Sequence, residues 1–570
     1  MNAWAPAFLR WFAGPGRRAA PGYLLPRWLF LRALGIIYFS AFYSLVFQIR
    51  GLIGPQGLLP AGMYLEDVDK AVGAARYWFA PTLLWLGSGP RALELLCWAG
   101  MAASLLLILN LWPRGMLVVC FVAFLSFVAA AQDFSGYQSD GMLLSAGFIS
   151  FFYAPRGFRP RWGEKQPPSR ASRFLLQLLW FTIYFESGVA KIMGGDPEWR
   201  HLTAMDEYYQ NGPLPTWIGW YVQQLPHWFH ASTAFLTLLV ELVVVSMMFL
   251  PRRFRILCFF ILTPFEIGII LTANYTFLNY LVLALGVLLL DDRFLLKFLP
   301  QHRALPVRRN LEQPSASGQP KTDLVALDLK SGSGEPAPPI VGSARNEQSA
   351  TDGQTASWFS SAQKLIGAIA LWLSGILLAW VFYAMTFLLF QQIFRTLPLP
   401  AAPVTALEPF RIANQYGLFG RMTRFRYEIE FQGSNDGTTW LPYPFRYKPQ
   451  DPREAPRIYA PYQPRFDWNL WFAMLGEWRQ NPFVLHAEQL LLQSDPDVLA
   501  LFAANPFPES PPRQVRAVIW QYWFTDLKTK RTQGLWWRRE LLGLYAPSLG
   551  RQPDGKILVV DWPRNFIPPP

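Results

Sequence analysis

The sequence predicts a polytopic α-helical membrane bundle of about nine spans, followed by a β-rich soluble C-terminal domain of jelly-roll-like type. Two observations predict this class. Residues 28–290 are dominated by apolar, Trp- and Phe-rich stretches, whereas apolar and polar residues alternate in parts of the C-terminal region. Charged residues make up only 16% of the chain, well below the roughly 25% of soluble proteins. The composition therefore favours a membrane protein that carries a folded soluble domain.

The predicted spans follow from bilayer thickness. A hydrocarbon core about 30 Å thick requires roughly 20 apolar residues in a helix. We expect a multipass membrane domain over 1–300, a last transmembrane helix over 361–396 and a soluble domain over 397–570. The candidate spans are 28–48, 91–111, 115–132, 140–154, 173–192, 232–250, 254–273, 276–291 and 363–394.

The segment 301–360 is different in composition. It is rich in Ser, Gly, Pro, Gln and Ala and poor in aromatic residues. Such a segment buries too little apolar surface to offset the entropy lost on ordering. We predict a disordered cytoplasmic linker over 301–360.

Basic residues predict the orientation of the bundle. Arg and Lys cluster in the connections near 156–173 and 252–255 and at the start of the linker. With nine spans these three clusters share one side with the arginine-bearing N-terminus, and the positive-inside rule places that side in the cytoplasm. The loop 193–231 and the C-terminal domain then lie on the non-cytoplasmic face. Because the net charge of +13 is concentrated in these loops, we expect membrane lipids as partners and no nucleic acid.

The C-terminal domain begins with a strand signal. Residues 424–432 alternate apolar and charged side chains, which predicts a half-buried strand, and the turn signal at 433–437 precedes a second expected strand with Trp440 and Tyr447. Apolar residues then recur at helical spacing over 466–479, and alternation returns over 514–526. The pattern predicts two or more strands with a helix between them.

Several motifs resemble the lipase maturation factor family. The most distinctive are RIANQYGLFGRMT at 411–423, APYQPRFDW at 460–468 and KIMGGDPEWR at 191–200. The resemblance covers most of the chain apart from the linker. It implies a chaperone-like membrane protein of the endoplasmic reticulum that helps secreted dimeric lipases reach an active fold, and it implies no established catalytic residues. We expect no cofactor. In a bacterial source the membrane would be the plasma (inner) membrane, and the client need not be a lipase.

A shorter stretch, SGVAK at 187–191, is similar to the segment that carries the active-site lysine of vitamin K-dependent gamma-carboxylase. This resemblance implies a possible enzyme in which Lys191 is a base in a lipid-accessible pocket. Glu186 and Glu241, which are costly to place in a bilayer, are the candidate carboxylates of that pocket. The alternatives are a lysine that reaches the membrane surface and carboxylates that form interhelical hydrogen bonds. Residues five apart point about 140° apart on a helix, so Glu186 is a poor partner for Lys191.

The predicted client surface consists of aromatic and basic residues from the loop 193–231, here called the outer loop, and from the helix predicted over 466–479. Its members are Trp199, Arg200, Tyr208, Tyr209, Trp468, Trp471 and Phe472. The alternative for the helix residues is a plain core. His227 and His230 have a spacing found in zinc sites, but no third ligand supports one, and we expect no bound metal.

Overall fold

The computed structural model describes residues 22–298, 349–394 and 396–564. Helices occur at all nine predicted stretches. They are α1 (Leu24–Val46), α2 (Pro90–Ile108), α3 (Pro113–Val128), α4 (Gln138–Tyr153), α5 (Arg170–Met193), α6 (His227–Leu242), α7 (Arg252–Thr272), α8 (Leu278–Gly286) and α9 (Ser349–Ile393). Pro90 and Pro113 open α2 and α3 at a position where a missing N–H costs nothing.

Within the described residues, five helical segments are long and apolar enough to cross a membrane. They are Leu24–Val46, Pro90–Ile108, His227–Phe249, Arg252–Thr272 and Leu365–Ile393. The predicted apolar helical N-terminal part is therefore confirmed, whereas nine crossings are not. Most of the predicted linker lies outside the described residues, and α9 begins at Ser349, inside the segment predicted as linker.

Helix α5 is central to the bundle. It packs against α4, α6, α8 and α9, while α1 packs against α2 and α8. The interior is filled by Leu, Phe and Ala side chains that are fully buried. The last turn of α5, which carries Lys191, is therefore surrounded by other elements.

Polar contacts divide the helix ends into two groups. At one end of the bundle the basic connector near 156–173 is bound by the ends of two helices: Arg27 of α1 donates to the carbonyl of Gln166, and Asn110, just after α2, donates to that of Arg161. Arg252 forms an ion pair with Asp291 at the same end. The opposite ends contact the C-terminal domain.

The C-terminal domain contains one antiparallel sheet in its described residues. Its strands are β1 (Arg426–Ser434), β2 (Leu441–Pro442), β3 (Gln514–Phe524), β4 (Trp537–Leu544), β5 (Ser548–Arg551) and β6 (Ile557–Asp561). The strand order is β2-β1-β3-β5-β6, with β4 also paired to β3. The β-rich character is confirmed, but the jelly-roll type is not.

Strand β1 is buried on both faces, so the prediction of a half-buried strand was wrong. The charged side chains on its polar face are buried with partners of opposite charge. Glu428 lies between Arg426 and Lys448, and Glu430 pairs with Arg539. An alternating pattern predicts an amphipathic strand, but it does not show whether charged residues elsewhere in the chain bury the polar face of that strand.

Helices α10 (Arg465–Ala473) and α11 (Pro482–Leu492) pack on β1 and β3, respectively. Helix α10 ends at Ala473, and a separate 3₁₀ turn covers Trp478–Gln480, so the helix predicted over 466–479 is interrupted. Three short helices lie within the outer loop: Pro197–Arg200, Tyr208–Asn211 and Trp217–Gln223.

Candidate functional site

Residues 416–423, here called the strap, lie between α9 and β1 in the chain and contact the end of α5. The Tyr416 N–H donates to the Glu186 carboxylate at 2.6 Å. The Lys191 ammonium donates to the Leu418 carbonyl at 2.8 Å. The C-terminal domain is thus hydrogen-bonded to the last two turns of α5, which carry two predicted site residues.

The outer loop extends these contacts. The indole N–H of Trp199 donates to the Phe419 carbonyl at 2.8 Å, and the carboxylate of Asp196 accepts from the Met422 N–H at 2.6 Å. A Cβ added at Gly420 would lie 3.1 Å from Ala190 Cβ, so a larger residue there would crowd α5. Close packing of the strap therefore depends on the glycine at this position.

A buried ion pair joins α10 of the C-terminal domain to the bundle. The guanidinium of Arg465 binds both oxygens of Asp140 at 2.8 Å and also donates to the Phe134 carbonyl at 2.7 Å. Both side chains are almost completely buried. Bidentate pairing of this kind fixes orientation as well as distance, so α10 is held in one position over the start of α4.

A cavity of about 680 Å³ lies between the bundle and the C-terminal domain. Its wall is mostly apolar and comes from α5, α6, α7, the outer loop, the strap and α10. The main polar and aromatic side chains in the wall are Lys191, Glu241, Glu266, Tyr184, Asn279, Trp199, Tyr208, Tyr209, Tyr275, Trp468 and Trp471. This cavity collects most of the residues that the sequence singled out.

Lys191 and Glu241 form a buried ion pair in the cavity wall. The ammonium lies 2.9 Å from one carboxylate oxygen and 2.8 Å from the other. It also lies 5.1 Å from the ring centroid of Trp199. A Cβ at Gly188 would stand 3.0 Å from Glu241 Cβ, so close packing of α5 on α6 at this glycine brings the two charges together.

Glu186 is placed differently from Glu241. It is fully buried, does not line the cavity, and accepts the Tyr416 N–H of the strap. A carboxylate absent from the predicted site, Glu266, does line the cavity and accepts from the Tyr184 hydroxyl at 2.6 Å and the Asn279 amide at 2.7 Å. The only signal for Glu266 in the sequence was an acidic residue within a predicted span.

The predicted client surface is mostly interior. Five of its seven residues are buried, and Arg200 and Phe472 are exposed. The buried members are Trp199, Tyr208, Tyr209, Trp468 and Trp471. They line the cavity, so their placement fits a role in shaping the interface rather than direct contact with a large partner.

The two histidines of the outer loop have different surroundings. His227 is exposed and contacts Asp206 at 2.9 Å, whereas His230 is buried beside Tyr209. Within residues 22–298, 349–394 and 396–564, no group of three His, Cys, Asp or Glu side chains could hold a metal ion.

Comparisons with known proteins give a consistent result over most of the chain. A family model described as the lipase maturation factor transmembrane domain matches residues 25–297, and one described as the lipase maturation factor C-terminal domain matches residues 412–547. No solved structure matches.

Three relatives illustrate the similarity. Lipase maturation factor 1 of Bos taurus is 30% identical over 96% of this chain and 93% of its own length. Lipase maturation factor 1 of Mus musculus is 31% identical, covering 94% and 89%. Lipase maturation factor 2 of Gallus gallus is 31% identical, covering 92% and 81%.

Proposed function

The chain belongs to the lipase maturation factor family, and we propose that it is a membrane-anchored maturation factor for secreted proteins, with lipases as the clients that the family name implies. In this proposal the bundle anchors the C-terminal domain, and that domain contacts client chains before they finish folding. The observation that carries the proposal is an exposed apolar edge strand on a domain whose position over the bundle is rigidly held.

The contacts at the helix ends support a non-cytoplasmic C-terminal domain. Helix α1 begins at the connector end, where Leu25 N–H donates to Asp292, and finishes near the C-terminal domain, where Gln48 donates to the Gln463 carbonyl. The direction alternates through α8, whose Tyr280 donates to the Ala460 carbonyl. All basic connectors then share one face, the cytoplasmic one by the positive-inside rule. The membrane would be that of the endoplasmic reticulum, or the plasma (inner) membrane if the source is bacterial.

Strand β6 offers a contact site for an extended chain. It pairs with β5 on one side, and no other strand of the described residues pairs with its outer edge. Its side chains Leu558, Val559 and Val560 are exposed. Unpaired edge backbone with apolar side chains can add a strand from another chain. An incompletely folded client supplies such a segment.

Strand β4 shows how the same sheet protects another edge. It carries the exposed charged residues Arg538 and Glu540 beside the exposed Leu541, and charges on an edge discourage pairing with other chains. Strand β6 has a single charge, at Asp561, its last residue. The lower charge of β6 supports its choice as the edge that binds a client segment.

Replacing one edge residue tests this proposal. Leu558→Lys places a charge on the exposed edge, where Leu558 is 47% exposed, and Leu527→Lys makes the same change at a 44% exposed leucine outside the sheet. Both full-length variants are expressed with a secreted dimeric lipase in cells that lack their own maturation factor. We expect Leu558→Lys to lower secreted lipase activity about tenfold, equivalent to about 1.4 kcal/mol of lost client binding.

The matched control decides the outcome. Leu527→Lys should leave secreted lipase activity unchanged, and both variants should accumulate in the membrane at wild-type amounts. Equal activity for the two variants would contradict client capture at β6. Deleting the whole C-terminal domain is a weaker test, because it would strip the partners of Asp140 and Glu186 and disturb the bundle itself.

An alternative proposal is that the chain is an enzyme in which Lys191 acts as a base. The cavity supports it by enclosing Lys191 with two carboxylates, Glu241 and Glu266. The contacts of Lys191 oppose it, because its ammonium is already bound by the Glu241 carboxylate and the Leu418 carbonyl. If the Lys191→Met/Glu241→Gln variant folds and still matures its client, the enzyme proposal is contradicted.

A further inference from the structure

The cavity has a side facing away from the C-terminal domain, between α6 and α7. These two helices are joined through a 3₁₀ segment, Val244–Phe249, which contacts both of them. The helices themselves scarcely contact each other. They therefore diverge from this segment towards the outer end of the bundle, and both contribute residues to the cavity wall.

One face of α7 forms the rim of this gap. Pro264, Gly268 and Thr272, spaced one turn apart, all line the cavity, and Pro264 and Gly268 are also exposed at the surface. A Cβ added at Gly268 would meet no atom of the described chain within 4 Å. The cavity is therefore open sideways at Gly268.

The opening lies at a membrane-facing position. Helices α6 and α7 are both within segments long and apolar enough to cross a bilayer. Apolar side chains beside the opening are exposed, including Phe235 and Leu236 of α6 and Ile267 and Leu271 of α7. In a bilayer these side chains contact lipid, so the opening leads from the lipid phase into the cavity.

The charges inside the cavity limit what it can bind. The ammonium of Lys191 is already neutralised by Glu241, and Glu266 is hydrogen-bonded by Tyr184 and Asn279. A ligand with a net charge would lose its hydration in a mostly apolar cavity where Lys191 is already paired and Arg421, the other cation among the described lining residues, is exposed on the strap, and this loss is costly. A hydroxyl or ester group would need only a hydrogen bond.

We propose that this cavity binds one membrane-derived amphiphile with a long apolar chain and an uncharged polar head, and that the ligand enters between α6 and α7 past Gly268. The cavity volume of about 680 Å³ falls within the roughly 300–1,000 Å³ of small-molecule sites. The apolar chain lies against the α6 and α7 wall, and the head lies towards Lys191 and the tyrosines of the outer loop.

A photoactivatable, alkyne-tagged long-chain alcohol tests the proposal. It is added to membranes containing the full-length chain, irradiated, and its attachment points are mapped by mass spectrometry of peptides. Gly268→Trp fills the opening, and Gly367→Trp is the matched control because Gly367 also lies exposed on an apolar span with no atom within 4 Å of an added Cβ. We expect Gly268→Trp to lower labelling of cavity-wall peptides about tenfold, the change produced by about 1.4 kcal/mol of lost binding.

The control and a second probe make every outcome informative. Gly367→Trp should be labelled like the wild type. Equal labelling of the two variants, or labelling confined to outward-facing peptides, would overturn the proposal. A fatty-acid probe of the same chain length should label the cavity more weakly than the alcohol, and stronger labelling by the acid would overturn the assignment of an uncharged head. Because the readout is labelling, it is independent of lipase secretion.

Discussion

Two buried ion pairs lie where the bundle meets the C-terminal domain, and they differ in their surroundings. Arg465 and Asp140 are 0% and 1% exposed, and Arg465 binds both carboxylate oxygens and a backbone carbonyl. Lys191 and Glu241 are 2% and 9% exposed and stand in the wall of the cavity. The first pair is packed on all sides, and the second faces open space.

This difference separates two roles for buried charge. A packed bidentate pair cannot rearrange without breaking, so it fixes the position of the C-terminal domain over α4. A pair in a cavity wall has space beside it for water or ligand, and a charge left alone there can be partly solvated. Similar burial therefore does not mean similar function, and the two pairs should respond differently when one partner is removed.

The largest effect is expected at the packed pair. Asp140→Ala leaves the guanidinium of Arg465 buried without a counter-charge, and breaking a buried pair in this way costs about 3–5 kcal/mol. We expect the detergent-solubilised full-length chain to lose that much free energy of unfolding, and the linkers around 396–425 to become sensitive to protease. Thermal and denaturant unfolding of the purified chain measures the change.

Two further variants control that prediction. Asp140→Leu combined with Arg465→Met removes both charges and should recover most of the loss, because replacing a buried pair with apolar residues is often neutral. Arg50 also bridges the bundle and the C-terminal domain through Glu94 and Asp497, but its side chain is 47% exposed. Arg50→Ala should cost less than about 1 kcal/mol. An equal loss in Asp140→Ala and Arg50→Ala would contradict the structural role of the packed pair.

The cavity pair should respond less strongly. Lys191→Met leaves the carboxylate of Glu241 without its partner, but this carboxylate faces a cavity that admits water. We expect a loss of about 1–3 kcal/mol, the usual cost of an unsatisfied buried polar group, measured as for Asp140→Ala. The double variant Lys191→Met/Glu241→Gln should recover at least part of it. A loss as large as that of Asp140→Ala would show that the two pairs do not differ in the way proposed.

Much of the bundle could be predicted from the sequence because apolar length and basic connectors are local signals. Helices occur at all nine predicted stretches, and Lys191 lies in the last turn of α5, where the sequence placed it. The poor geometry between Glu186 and Lys191 also followed from helical periodicity. The observed partner of Lys191 is Glu241, on the next long helix.

The contacts between the two domains could not be predicted because they join residues far apart in sequence. Arg465 lies within a recognised motif, but its partner Asp140 precedes it by 325 positions. The aromatic residues Trp199, Trp468 and Trp471 suggested a surface, and the structure buries them because the strap and α10 close over the outer loop. Aromatic content indicates an apolar environment but does not distinguish an exposed surface from an internal one.

A carboxylate inside the C-terminal domain extends the comparison to a group with no direct ion pair. Asp467 accepts the N–H groups of Tyr447 and Lys448, each at 3.2 Å. Burial raises the pKa of its side chain from 3.8 to about 6, although the ammonium of Lys448 and the neighbouring N–H groups act in the opposite direction. Because the pKa is higher in the folded state, the protonated form is favoured by folding. The resulting stability is fully present below pH 3.8 and is lost as the pH rises through about 6.

The smallest expected effect is the pH dependence due to Asp467. Between pH 5 and pH 7 the raised pKa should remove about 1 kcal/mol of stability. Asp467→Asn keeps an acceptor for the two N–H groups but has no charge to bury, so it should lack this part of the loss. Denaturant unfolding of both full-length chains at the two pH values measures the difference, and all other titrating groups are shared and cancel. If the wild type loses no more stability than Asp467→Asn over this range, the carboxylate of Asp467 is already solvated in the folded chain. The comparison with the buried Asp140 would then fail.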